Sequence, residues 1–232
     1  MLTTAPAQGS IRRPPEEEMK LYYNPVSSYS QKVMMALYEK ECPFEPMIVN
    51  LMDEAARAEY KKVFPLGKVP FLDVPEKSWQ VPESSIIIEY IDRHYPGGTK
   101  LIPDDPDLAR QVRMRDRMLD LYVNEPMGKI FFDGRRPEGS RDPLGVTQAR
   151  ERLNNMYAVL DNALAKDTWA MGDLFSMADC AAAPALQYAR MVHPFENHKH
   201  LTAYLGRLTE RPSFARVLKE AAPYFAVAFG GK

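Results

Sequence analysis

The sequence is poor in the features that announce the simplest functional classes. It holds two cysteines, Cys42 and Cys180, in 232 residues, and neither has a second cysteine or a histidine beside it at metal-ligand spacing. That excludes a disulfide framework and the common zinc motifs. No metal is expected, and the thiols read as the reduced ones of a cytoplasmic protein. Charge of one sign is lacking too. The 30 Lys and Arg residues nearly balance the 31 Asp and Glu, for a net charge of −1, and the basic residues are spread along the chain. No general attraction to nucleic acid or to anionic membranes follows from such a balance. No apolar run approaches the roughly 18–20 residues of a membrane span. The start carries Arg12-Arg13-Pro14-Pro15 and then Glu16-Glu17-Glu18 with no apolar centre, so it is no secretory signal and reads as a flexible tail over residues 1–18.

What is present is a globular composition, 45% hydrophobic and 26% charged, with room for one large core or two smaller ones. From Lys20 to about Tyr95 short β-prone runs alternate with helical patterns. Lys20–Tyr23 ends at Asn24-Pro25, Ser30–Lys40 has helical spacing, and Phe44–Val49 reads as a second strand. A polar helix over Asp53–Val63 follows. Pro70–Val74 and Ser78–Val81 then form a strand pair, and Ser84–Tyr95 is a helix stopped by Pro96-Gly97-Gly98. This order, βαβ followed by ββα, is that of the thioredoxin fold, placed at residues 19–97. Beyond Pro103–Pro106 no convincing strand remains, so residues 106–232 read as an all-α region. Its first helix runs from Asp107 to about Ile130, with Pro126 expected to kink or end it, and Gly134–Gly145 reads as a loop.

Three short segments carry possible chemistry. Ser27-Ser28-Tyr29-Ser30 follows a strand and opens a helix, where free N–H groups and the positive dipole end favour an anion. A hydroxyl there can hold a thiolate and lower a thiol pKa from about 8.5. Serine is also among the best helix caps, so the bland reading stands beside the chemical one. In Gly67-Lys68-Val69-Pro70 a proline opening a strand can be cis and can present the backbone of Val69 to an extended peptide. Lys68 offers a cation for a carboxylate there, and an ordinary loop is the competing reading. In Glu83-Ser84 a donor pair at a helix start suits a carboxylate, while Glu83 suits an ammonium; again a plain helix cap would look the same. Together they describe a groove for a small thiol peptide.

With these motifs in this order the chain resembles the cytosolic glutathione transferases over about residues 19–228, in a bacterial, serine-type version similar to the theta, zeta and phi classes. The matching motifs are Ser27 to Leu37, Gly67-Lys68-Val69-Pro70, Glu83-Ser84 with Ile87–Ile91 after it, and Gly172 to Asp179. In that last motif Ser176 and Asp179 have capping-box spacing and a folding role. The resemblance implies a thioredoxin-like domain plus an all-α domain, and glutathione as co-substrate. Its γ-glutamyl end would bind at Glu83 and Ser84, its cysteinyl backbone at Val69 before Pro70, and its glycyl carboxylate near Lys68.

The sulfur would lie at Ser27, with Ser28 second and Tyr23 third as thiolate donor. A small electrophile would be conjugated in a pocket to which Met118, Tyr122 and Phe131 contribute, with Met127 and Phe132 as further candidates. A homodimer is implied through the last helix of the first half and the first of the second, with Arg93, Arg113 and Asp116 as candidate contacts. Two departures stand out. Phe64-Pro65 replaces the family's Asn-Pro, and Tyr29 stands where maleylacetoacetate isomerases have a cysteine after Ser-Ser. A glutathione-dependent isomerase or dehalogenase and a non-catalytic scaffold are the competing functions.

Overall fold

The computed structural model describes residues 19–229, with side-chain surroundings through Phe225. The tail assigned to residues 1–18 lies outside the described residues. Strands β1 (Lys20–Tyr23), β2 (Glu45–Ile48), β3 (Phe71–Val74) and β4 (Trp79–Pro82) form one sheet in the order β2-β1-β3-β4. β1 runs parallel to β2 and antiparallel to β3, and β3 pairs antiparallel with β4. The expected thioredoxin-like order is therefore present, with helices α1 (Ser28–Glu39), α2 (Glu54–Val63) and α3 (Ser84–His94) around the sheet.

Side-chain alternation along β1 sorts the core into two. Leu21 and Tyr23 are buried in the main core. Tyr22 points the other way and stacks on Tyr60 of α2 at 5.6 Å. Phe64 belongs to that smaller cluster, stacked on Phe71 at 4.5 Å and 17°. The Phe64-Pro65 departure thus fills an apolar gap beneath the Gly67–Pro70 loop. α1 is buried from Ser30 through Leu37. A helix covered on every side needs packing on every side, and α1 has it, between the sheet and the all-helical half.

The second half contains α4 (Pro106–Leu119), α5 (Glu125–Asp133), α6 (Pro143–Ala163), α7 (Met177–Val192), α8 (Lys199–Glu210) and α9 (Pro212–Phe229). Two expectations need correction. Pro126 does not end the first of these helices. A wider π-helical turn over Asp120–Asn124 precedes it, and Pro126 falls in the first turn of α5, where its missing N–H costs little. The loop after Gly134 is also shorter than expected. α6 begins at Pro143, a favoured first position, with Asp142 as N-cap accepting from Gly145 N at 2.9 Å. The capping box of Ser176 and Asp179 is present, and the buried Asp179 also accepts from Ala170 N at 2.8 Å and from the Tyr204 hydroxyl at 2.6 Å.

The halves are bolted together at the far end of α1. Glu39 accepts from Arg211 Nε and Nη2 at 2.6 Å each, from Ser213 at 2.5 Å and from Thr99 at 2.7 Å. Gly98, at φ 63, passes so close to Glu39 that a Cβ would overlap its carbonyl, which explains the glycine. No helix among the described residues is long and apolar enough to cross a membrane.

Candidate functional site at one end of the sheet

Strand register decides which loops meet. Tyr22 lies opposite Phe71 across β1 and β3, and Phe71 lies opposite Pro82 across β3 and β4. The residues after Tyr23, before Phe71 and after Pro82 therefore emerge at the same end of the sheet. Neighbouring strands are about 4.8 Å apart, so β1 and β4 end roughly 10 Å from each other, the length of an extended tripeptide. All three sequence motifs stand along that line.

Ser27 is the N-cap of α1, and its Oγ accepts from Ser30 N at 3.4 Å. Capping uses one lone pair and leaves the hydroxyl hydrogen free to donate, so the two readings of this serine are compatible. Ser28 is the first residue of the helix and half-buried. The turn before it is tied on every side. Asn24 accepts from Val26 N at 3.1 Å and donates to Val49 O at 2.9 Å, and Gln31 donates to Pro25 O at 2.8 Å. Tyr188 of α7 reaches over from the helical half to donate to Val26 O at 2.8 Å. Tyr23 is buried, only 6% exposed. Burial, with the negative charge of Glu220 and the neighbouring Tyr224, pushes its phenol above the ordinary tyrosine range.

Before β3, the Val69–Pro70 peptide is cis. Tyr60 donates to Lys68 O at 2.6 Å and fixes the loop from beneath. The Lys68 side chain is exposed. After β4, Glu83 takes φ 69, ψ 119, a conformation rare for a residue with a side chain, and Ser84 is buried as the first residue of α3. No side chain caps this helix. The first N–H groups of a helix need acceptors, and here the protein itself supplies none from a capping side chain.

Comparison with known proteins identifies the family. Residues 21–99 match the glutathione S-transferase N-terminal domain model, and residues 127–212 match the C-terminal one. The chain belongs to the glutathione S-transferase family. Glutathione S-transferase hmp2 of Hypomyces subiculosus is 29% identical over 213 residues, covering 88% of this chain and 99% of that protein. Glutathione S-transferase GstB of Escherichia coli K12 is 28% identical over 195 residues, covering 83% and 93%. A glutathione S-transferase from Methylobacillus flagellatus, solved with glutathione bound, superposes with a TM-score of 0.78 at 28% identity, covering 86% of this chain and 98% of that one.

Within this family frame, the structure adds a buried polar cluster that the sequence motifs do not announce. Lys32, one turn past Ser28 on α1, is 1% exposed. Its ammonium donates to Asp120 Oδ2 at 2.9 Å and to Ser85 Oγ at 2.9 Å, and forms an ion pair with Asp116 Oδ1 at 2.7 Å. Ser85 in turn donates to Asp116 Oδ2 at 2.6 Å. Burial holds the Asp120 carboxyl above the usual carboxylate range, with Lys32 opposing. The half-exposed Arg117 stands 3.5 Å from Asp120 and supplies a second positive charge. The cluster ties the starts of α1 and α3 to α4. Asp116, 1% exposed, is thereby removed from the candidate dimer contacts. A signal for it did exist: Asp116 and Asp120 are four apart on one helix face, a repulsive spacing unless a cation faces both.

The candidate electrophile residues separate. On a helix each residue turns about 100°, so Met118, two positions from both Asp116 and Asp120, points away from α1. It borders a cavity of about 250 Å³ between α4, α6, α7 and α8. Tyr122 is exposed. Phe131 lies beneath the Arg135 guanidinium at 3.5 Å and meets Phe132 edge-on at 5.1 Å. Tyr29, which sequence reasoning left unused, lies beside Asn124 of the π-helical turn, and burial raises its phenol pKa. Cys42 and Cys180 are buried with thiols pushed up by burial, Cys42 to about 12, so neither is a nucleophile.

Proposed function

We propose that the chain binds glutathione along this end of the sheet, activates its thiol and conjugates it to small electrophiles. The observation that carries the reading is the buried, uncapped start of α3 behind Glu83. It offers free N–H donors for the γ-glutamyl carboxylate beside a carboxylate for its ammonium. The Val69 backbone pairs with the cysteinyl residue, and Lys68 reaches the glycyl carboxylate. That lays the sulfur at the start of α1, where the Ser27 hydroxyl donates to the thiolate with Ser28 in reserve. Tyr23 is disfavoured because it is buried towards α9. The thiol proton leaves to water. The thiolate then forms a carbon–sulfur bond, expelling a leaving group, or adding to a double bond whose far atom takes up a proton.

Tyr29, Tyr122 and Phe131 are the proposed electrophile wall, and Met118 is withdrawn from it by its orientation. The functional units are 19–97 and 106–232, working as a cytoplasmic homodimer. Exposed Ile86 on α3 with Leu108 and Met114 on α4 supports pairing through those helices. The test is calorimetric titration with glutathione paired with an ultraviolet scan for thiolate. Binding with thiolate formed at neutral pH is the expected result. No binding at millimolar glutathione would remove the reading and leave a non-catalytic family member.

A further inference from the structure

The turn that presents Ser27 is tied more firmly than its cap. Ser27 Oγ accepts from Ser30 N at 3.4 Å, longer than an ordinary N–H···O bond, so capping alone leaves the hydroxyl loosely aimed. The backbone before it is held in place. A peptide unit is planar, so fixing its N–H and its C=O fixes the whole plane. In the Pro25–Val26 unit, Val26 N donates to Asn24 Oδ1 at 3.1 Å and Pro25 O accepts from Gln31 Nε2 at 2.8 Å. In the Val26–Ser27 unit, Ser27 N donates to Asn24 O at 2.9 Å and Val26 O accepts from the Tyr188 hydroxyl at 2.8 Å. Three of these four ties come from the turn and its own helix. The fourth comes from α7, 162 positions further along the chain. That tie has a set direction. Gln31 Nε2 also donates to the Tyr188 oxygen at 3.3 Å, which turns the phenol hydrogen towards Val26, and the ring is stacked on Phe225 of α9 at 5.6 Å and 20°. Gln31 and Tyr188 are both buried, and burial keeps the Tyr188 phenol protonated above the ordinary tyrosine range.

We propose that Tyr188 is a positioning residue for thiol activation, fixing from the helical half the direction in which Ser27 presents its hydroxyl. The inference rests on the conjugation reading, with Ser27 as the thiolate donor. The plane of the Val26–Ser27 peptide and the helix that follows together set where the Ser27 Cα–Cβ bond points. A hydrogen bond weakens steeply once it is misaligned, so a turn that rocks spreads the hydroxyl over several directions and stabilises the thiolate less. With Val26 O held by Tyr188, the donor is aimed before the sulfur arrives, and no reorganisation is needed when the charge forms. Tyr188 touches neither the sulfur nor the electrophile in this scheme, and acts through Ser27.

The test follows thiolate absorbance of glutathione bound to the full chain across pH, in the parent, Tyr188→Phe, Ser27→Ala and the double variant. Tyr188→Phe keeps the ring on Phe225. It leaves Gln31 Nε2 its bond to Pro25 O, and the half-buried Val26 carbonyl within reach of water, so the fold is kept. The bound thiol is expected to titrate up to about one pH unit higher, the worth of one net hydrogen bond. Turnover at neutral pH then falls by up to about tenfold, while turnover at alkaline pH, where the thiol is ionised without help, stays near the parent's. In the Ser27→Ala background the same substitution should move the titration no further, because its target is gone. A tie that serves folding alone would lower stability and leave the titration where it was. An unmoved titration in Tyr188→Phe, or an equal displacement with and without Ser27, overturns the proposal and leaves the conjugation reading standing. A parent chain that binds no glutathione, or binds it without forming thiolate, overturns that reading and this inference with it.

Discussion

α1 and α3 start at the same end of the sheet, and their first turns are built in opposite ways. The α1 start is capped and braced from within. Ser27 caps it, Asn24 and Gln31 hold the turn before it, and Tyr188 reaches across from the helical half to clamp Val26. The α3 start has no cap, and a strained Glu83 precedes it. Where a serine caps the helix, its hydroxyl hydrogen can be aimed at one atom of a ligand. Where no side chain caps it, the helix end presents several N–H groups to a charged head. A groove that must hold a peptide end and tune one sulfur needs both kinds of helix start.

The Lys32 cluster joins the two starts, so breaking it carries the largest expected effect. Lys32→Met leaves Asp116 and Asp120 enclosed with no cation between them. Loss of one partner from a buried ionic cluster typically costs about 3–5 kcal/mol. Urea unfolding should show a loss of that size. A change under about 1 kcal/mol would mean that water reaches the two carboxylates and that the starts of α1 and α3 are not coupled through this cluster.

Ser27 sharpens the comparison next. Ser27→Ala should slow conjugation by about one to two orders of magnitude, as for one lost positioned donor, and cost about 1 kcal/mol of stability as a lost cap. Ser27→Asp separates the two roles. Aspartate caps as well as serine, so stability returns, but its charge repels the thiolate, so activity stays low. Recovery of turnover with recovery of stability would make Ser27 a cap alone and pass the donor role to Ser28.

Much of this was legible in the sequence because it is local. A strand, its stop at Asn24-Pro25, a serine before a helix and Ser176 with Asp179 are patterns within a few residues, and each recurs in the structure within about three positions. What the sequence hid depends on contacts between distant segments. Lys32 in the middle of an apolar helix reads as a solvated face until Asp116, 84 positions away, is brought against it. Met118 looks like any cleft residue until the rotation of α4 is known, and that rotation is set by the same ion cluster. Pro126 misleads because a proline rule describes a regular helix, and the chain avoids the conflict with one wider turn. The chemical motifs were ambiguous for a physical reason. A serine that caps and a serine that donates occupy the same position, and in this fold Ser27 caps α1 through its oxygen, which leaves the hydroxyl hydrogen uncommitted.

The smallest effect tests the other side of the comparison, the helix start left open. Glycine at position 83 relieves a backbone conformation that costs a residue with a side chain on the order of 1–3 kcal/mol. Part of that gain is offset by the extra freedom of glycine in the unfolded chain, about 0.4–1 kcal/mol. Glu83→Gly should therefore be as stable as the parent or up to about 2.5 kcal/mol more so, while its affinity for glutathione falls about tenfold as the ammonium loses its carboxylate. A residue whose removal steadies the fold and weakens the ligand is one whose strain is kept for binding. If affinity is unchanged and stability rises, the open start of α3 binds through Ser84 and its N–H groups alone, and Glu83 has no part in the contrast with Ser27. If both fall together, the conformation at φ 69 is needed to seat α3 on the sheet, and the difference between the two helix starts is one of folding.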